Sequence, residues 1–284
     1  MIKEYMKTSF LATLLLCTSA LVAQNHLVSF GAHGGLDFLM PKSDQVTRAK
    51  LGGAGAFDIG YTYYKSTRSS GDWGIHTGFS VGYDANSSQL DLQQQYTIYD
   101  FQNNEMLYTT LGNLDVSFKR VYAEVPIMAA FRMNGFILQL GLKTQFAVWS
   151  SMAQDLKNPV IDAYYVPFDV HVINETNTGV VAQQDLQKTY KDVAPLFNLL
   201  LATRIGYEAK AGDKGRFGIA AYLDYNIWNN HNTKGQPLIS VAPITDMINP
   251  APEVTVNSAF TSLISRINPL QVGITLYYGL SFEK

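Results

Sequence analysis

The segment from Arg120 to Trp149 reads RVYAEVPIMAAFRMNGFILQLGLKTQFAVW. It is apolar enough to suggest a membrane helix, yet Glu124, Arg132, Gln139, Lys143 and Gln145 interrupt it and Pro126 sits in its first half. A spanning helix needs about 20 residues of nearly unbroken apolar character. What the segment has instead is period two. Val121, Ala123, Val125, Ile127, Ala129 and Phe131 alternate with Tyr122, Glu124, Pro126 and Arg132. After Met133-Asn134-Gly135, residues Phe136, Leu138, Leu140, Leu142, Phe146 and Val148 alternate with Gln139, Gly141, Lys143 and Gln145. Successive side chains of a strand point to opposite faces, so the segment predicts two strands, each with one apolar and one polar face.

The same alternation recurs along the chain. It appears in VSFGAHGGLDF (28–38), LGGAGAFDIGYTYY (51–64) and WGIHTGFSVGYD (73–84). Phe197, Leu199, Leu201, Ile205 and Tyr207 alternate with Asn198, Arg204, Gly206 and Glu208. Phe217, Ile219, Ala221, Leu223, Tyr225 and Ile227 alternate with Gly218, Tyr222, Asp224 and Asn226. Val272, Ile274, Leu276, Tyr278, Leu280 and Phe282 form the apolar face of the last strand. That makes eight strands, each near the roughly 9–11 residues a tilted membrane strand requires.

The connections alternate long and short. MPKSDQVTRAK and loops of about 85–118, 150–193 and 229–268 are long, whereas KSTRSSG, MNG and AGDKG are short. Short periplasmic turns, long outer loops and an even strand number belong to outer-membrane barrels. A soluble eight-stranded barrel would put apolar residues inside. Here the polar face carries Gly, Ser and mixed charges, which suits a narrow interior. The apolar face carries bulky aliphatics with Trp and Tyr near strand ends, as interfacial girdles do. The expected fold is all-β: an eight-stranded antiparallel up-and-down transmembrane β-barrel with long outer loops and both termini on the periplasmic side.

The remaining composition agrees. Charged residues make up 15%, against about 25% in typical soluble domains. A net charge of −2 gives no basic excess for nucleic acid. Residues 1–23 read as a secretory signal peptide: Lys3 and Lys7, then FLATLLL, then small residues that allow cleavage after Ala20 or Ala23. The single cysteine, Cys17, lies inside that segment, so the mature barrel (24–284) is expected to lack disulfides and cysteine metal sites.

Ten charged residues are expected to face the lumen: Asp37, Asp58, Asp84, Glu124, Arg132, Lys143, Arg204, Glu208, Arg216 and Asp224. Closing the MNG hairpin pairs positions whose numbers sum to about 268, which sets Glu124 nearly opposite Lys143. The expected site is therefore structural: a lumen charge network of Glu124, Lys143, Arg132, Asp58, Arg204 and Asp224. Pro126 must cost a ladder hydrogen bond or mark a bulge, because a closed barrel has no edge to hold it. Of the histidines, His33 shares an inward face with Asp37 and His76 is also inward, while His171 and His231 fall in loops. None stands beside a serine in a recognisable turn or at metal spacing from another, so no catalytic, metal or cofactor residue is assigned. The GGAG run at Gly52–Gly55 leads into no helix with a lysine and is not a phosphate loop. Tyr96, Tyr99, Phe101 and Tyr108, and the stretch VIDAYYVPFDVHVI, place aromatics in the outer loops, and the QYTIY and EMLYTT sides of the second long loop are expected to extend its hairpin above the membrane.

The hairpin RVYAEVPIMAAFRMNGFILQLGLKTQFAVW resembles the central hairpin of outer-membrane barrel proteins of the Bacteroidota, the PorT-like group. The matching positions are Tyr122, Glu124 and Pro126 before the apolar run and Gly141 after the turn; FGAHGGLDF resembles the group's first strand. The resemblance implies an outer-membrane barrel of a Gram-negative bacterium and is nearly silent on activity. The expected role is structural or in surface interaction, with outer-membrane lipid around the barrel. An envelope protein or surface glycan would meet loops 85–118, 150–193 and 229–268. The alternatives are a small channel or secretion-linked component, and an outer-membrane lipid-modifying enzyme.

Overall fold

The computed structural model describes residues 25–43, 46–67, 71–99, 104–173, 186–191, 197–229, 238–241 and 254–282. The segment read as a signal peptide, with Cys17, lies outside them, as do Phe101 and His231. The strands are β1 (His26–Ser43), β2 (Val46–Thr67), β3 (Gly71–Tyr99), β4 (Glu105–Met133), β5 (Phe136–Tyr165), β6 (Val170–Ile173), β7 (Leu186–Lys191), β8 (Phe197–Ala211), β9 (Gly215–Asn229), β10 (Ile239–Val241), β11 (Val254–Val256) and β12 (Ile264–Phe282). Eight of them close a ring in the order β1-β2-β3-β4-β5-β8-β9-β12, antiparallel throughout, and β12 returns to β1. No helix among the described residues is long and apolar enough to cross a membrane; this chain crosses with strands.

The short turns lie at the end of the barrel where the described chain begins and ends, since His26 pairs with both Phe282 and Tyr63. At that end Asn134 (φ 51°) and Gly135 (φ 85°) form a two-residue turn that pairs Met133 with Phe136. Positive φ at both central residues is what Asn-Gly supplies at least cost.

The ring's burial is inside-out compared with a soluble protein. Phe57, Phe79, Ile127, Leu140, Ile205, Ile219, Ile274 and Leu276 face outward and exposed. His33, Asp37, Asp84, Glu124, Lys143, Gln145, Arg204, Glu208, Asp224 and Gln271 face inward and are buried. Lipid, not water, covers the outer face: the chain is an outer-membrane β-barrel of a Gram-negative bacterium. The narrow interior is filled by letting large side chains lie over glycine. Tyr122 faces Gly82 and Tyr277 faces Gly218 across the ladder, and a Cβ on either glycine would collide with the tyrosine ring.

The outer end departs from the expected loops. The described residues of 85–118 are almost all strand, because β3 and β4 continue paired from Asn86↔Phe118 to Tyr99↔Glu105. Segment 150–193 begins as the upper half of β5 and carries, among its described residues, a helical turn (Val166–Phe168), β6 and β7. Segment 229–268 contains the β10–β11 hairpin, a helical turn at Ala259–Ser262 and the start of β12. Even MPKSDQVTRAK is mostly β1 and β2. The alternation also inverts. Above the belt, Leu90, Leu92, Leu114, Val116, Phe118, Met152 and Leu156 turn inward, while Asp91, Asp115 and Lys157 turn outward. Water now bathes the outer face, so the sheet acquires a soluble protein's polarity. Three bulges mark this change of regime: between Lys50 and Gly53 on β2, at Val148 on β5 opposite Val121/Tyr122, and at Ile227 on β9 opposite Leu199/Leu200. Bulges bend strands at barrel rims in this way.

Candidate functional site

The lumen is built from charged positions on seven strands, β1 to β5, β8 and β9, that share the inward face. At the short-turn end, Arg132 meets Asp72 (2.8 Å) and Glu208 (3.3 Å), and its guanidinium lies 4.4 Å from the Tyr64 ring centroid. Arg216 also reaches Glu208 (3.4 Å), and Tyr277 donates its hydroxyl to that carboxylate (2.8 Å). In the middle, Lys143 donates to Asp224 (2.6 Å) and pairs with Glu124 (3.2 Å), whose second oxygen accepts from Gln145 Nε2 (2.9 Å). Lys143, Glu124 and Asp224 are almost completely buried. Towards the outer end, Arg120 grips Asp84 through Nε (2.9 Å) and Nη2, and reaches Gln145 Oε1 (3.2 Å). Asn86 donates to Asp37 (2.9 Å).

All ten inward charges read from the sequence therefore lie in the lumen, but their partners differ in detail. Numbers across the β4–β5 hairpin sum to 269, so Lys143 faces Pro126 and Glu124 faces Gln145. Glu124 and Lys143 meet diagonally instead of directly. Lys143's nearer partner, Asp224, comes from β9, two strands away in the ring. Asp58 pairs with His33 (2.9 Å). Arg204 closes no ion pair among the described residues; it lines a small polar cavity with Asp58, His76, Ser80 and Thr275, with room for a water molecule. Arg120 was missed by the sequence reading although it has the same parity as Tyr122 and Glu124.

Pro126 leaves a gap, not a bulge, on its β3 side. The β3–β4 ladder runs from Thr77↔Ile127 to Ser80↔Glu124 without pairing Gly78 or Phe79, and the register on either side is unchanged. The β4–β5 ladder passes through Pro126↔Lys143 unbroken. The missing N–H of proline faces β3.

Above the charges sits an apolar core. Leu90, Leu92, Leu114, Val116, Phe118, Met152 and Leu156 pack with Leu238 and Ala259 from the segment that precedes β12, with Ile264 at the start of β12, and with Tyr190 and Leu263 at the margin. That segment is pinned across the mouth. Leu238 N–H donates to Gln94 Oε1 (2.9 Å), Gln154 Nε2 donates to the Asn257 carbonyl (2.8 Å), and Ala259 N–H donates to Gln154 Oε1 (3.0 Å). Burial pushes the Tyr190 hydroxyl up to about 12. Ion pairs therefore fill the lumen, and an oily lid closes it on the outer side.

The histidines form no catalytic set among the described residues. His33 is held by Asp58 inside the lumen, and His76 shares a hydrogen bond with Thr62 (2.8 Å). His171 pairs with Asp162 (3.1 Å) and stacks on Tyr164 at the exposed outer tip. No group of three or more His, Cys, Asp or Glu there is arranged to hold a metal ion.

No protein-family model matches the chain, and no curated protein matches it. Among solved structures it is similar to Ail, the attachment invasion locus protein of Yersinia pestis. The match to Ail alone has 12% identity and a TM-score of 0.32, over 92% of this chain and 100% of that chain. The match to Ail in complex with the heparin analogue sucrose octasulfate has 11% identity and a TM-score of 0.31, with the same coverage. It is also similar to the outer membrane protease OmpT from Escherichia coli, with 9% identity and a TM-score of 0.26 over 92% of this chain and 96% of that chain. At these identities and scores the likeness adds nothing to what the closed strand ring itself shows.

Proposed function

We propose that this barrel conducts no solute and catalyses no reaction, and that its work is done at the cell surface by the sheet that projects from its mouth. The observation that carries the reading is the stacked closure of the lumen. An eight-stranded barrel is only wide enough for its own side chains. Here those side chains are cross-braced ion pairs, with the Leu90–Ile264 apolar core above them. Both layers are made of buried side chains packed across the interior. The projecting β3–β4–β5 sheet is long, paired and packed, so it forms a stiff platform for the aromatic tip at Tyr164–Val170. Val166, Phe168 and Val170 are exposed there. Exposed apolar groups on a rigid support suit recognition of an envelope protein or a surface glycan. Membership of the PorT-like group remains part of this proposal. It rests on Tyr122, Glu124, Pro126 and Gly141 and implies a place in an envelope complex.

The test removes the platform and spares the barrel. Ser88 and Val116 are cross-strand partners, so residues 89–115 can be replaced by an Asn-Gly turn. The shortened chain should still insert in the outer membrane and should lose the surface binding of the full chain to glycan arrays and isolated envelope proteins. A shortened barrel that keeps all the binding of the full chain would sink the proposal.

A further inference from the structure

The outer wall of the barrel changes character abruptly at the top of the apolar belt. Tyr83 pairs with Val121 and Val121 with Trp149, which makes one outward row across β3, β4 and β5. Tyr83 is 44% exposed and Trp149 41%. An amphipathic aromatic in that position marks the membrane–water boundary. The next outward row, about 7 Å higher along the strands, is Lys119, Ser151 and Lys191. Lys119 pairs with Ser151, and Ser151 with Lys191. Both lysines are exposed. Higher on the same face, Lys50 and Lys157 both close on Asp115 (2.7 and 3.1 Å). Lys119 and Lys191 have no such carboxylate among the described residues.

We infer that Lys119, Ser151 and Lys191 form a binding site for the phosphate groups of lipid headgroups in the outer leaflet. The site is continuous with the lipid-covered belt, so its occupant has its acyl chains against Val121, Val148 and Trp149 and its headgroup one row higher. The two lysine backbones are two strand spacings apart, about 10 Å. Their flexible four-carbon stems let both ammonium groups converge on an anion above Ser151, whose hydroxyl supplies a further donor. The position also explains the face's charge pattern. Cations at headgroup depth are left open, and those farther out in water are neutralised by Asp115 and Asp91. Phosphate is the chemistry selected, because the row offers cationic and hydroxyl donors without an aromatic face for a neutral sugar.

The experiment uses the full chain, refolded in neutral detergent and checked for the compact heat-modifiable form. Binding of bisphosphorylated lipid A, and of the same lipid A after enzymatic dephosphorylation, is followed by native mass spectrometry. Each of Lys119→Gln and Lys191→Gln should weaken phosphorylated lipid A about fivefold, and the pair about 30-fold. Lys65→Gln, an exposed lysine at the opposite end of the barrel, should change nothing. The Lys119→Arg/Lys191→Arg chain should bind as the parent does, and it decides the matter should the glutamine pair not refold. The inference is overturned by parental affinity in the double glutamine chain, by lost affinity in the arginine chain, by equal retention of the dephosphorylated lipid, or by a loss at Lys65 as large as at Lys119.

Discussion

Replacing Lys143 with methionine keeps the length of the side chain and removes its charge. In the folded barrel this leaves two carboxylates, Glu124 and Asp224, without their cation in a region with no access to solvent. The two are not affected equally. Glu124 keeps its hydrogen bond from Gln145. Asp224 loses the 2.6 Å bond from Nζ, and its other oxygen already has no hydrogen-bond partner. Removing one partner of a buried pair costs about 3–5 kcal/mol, chiefly because the other charge stays buried and uncompensated. Lys143→Met should therefore lower the unfolding free energy by about that amount. Urea unfolding in phospholipid vesicles, followed through the fluorescence of Trp73, Trp149 and Trp228, measures it. The diagnostic control neutralises the partners as well. Glu124→Gln/Lys143→Met/Asp224→Asn carries no stranded charge and should recover most of the loss, since replacing an entire buried ion cluster by neutral groups of similar volume is often close to neutral. A single variant within about 1 kcal/mol of the parent, or a triple variant as unstable as the single, would refute the claim that these three charges brace one another.

Two further outcomes are expected. Leu114→Ala, in the apolar core above the mouth, should cost about 2–5 kcal/mol locally, visible as faster amide exchange at 238–241 and 257–264 with little change in the membrane belt. Tyr190 has a folded pKa raised to about 12, so its neutral form is the folded one. Its contribution is fully present below the ordinary tyrosine value of about 10 and is lost as pH rises from there through about 12. An ultraviolet difference titration of the parent against Tyr190→Phe should show one tyrosine ionising in that upper window, and ionisation near 10 would contradict the packing assigned to it.

The belt was legible in the sequence because lipid and lumen impose opposite demands on alternate residues. Any strand between them must advertise its period, as Val121–Phe131 and Phe136–Val148 do. Arg120 escaped only because the alternation was counted from Val121. The hairpin register was one short because it depends on where the two-residue Asn134-Gly135 turn closes, which hydropathy does not encode. The tip of the projecting sheet, where QYTIY pairs with EMLYTT, was legible, but the rest was hidden by the inversion. SSQLDLQ and LDVSFK alternate as cleanly as the belt strands, with Leu90 and Leu92, or Leu114, Val116 and Phe118, on one face. Their apolar residues fall on the opposite parity, so they look like loop when a membrane strand is sought. The Lys143–Asp224 contact was out of reach for another reason. It joins β5 to β9 across the intervening β8, and only the curvature of the closed ring brings them together. His33–Asp58 likewise depends on the β1–β2 register, which sets Gly31 against Asp58.

Closure of the lumen by two successive layers is the claim on which the rest depends, and single-channel recording in planar bilayers tests it most directly. The refolded full chain should insert without current steps at either polarity, and chains with Leu114→Ala should remain silent because the ion-pair layer beneath still seals the barrel. Steady, reproducible conductance steps from the parent chain would contradict the account.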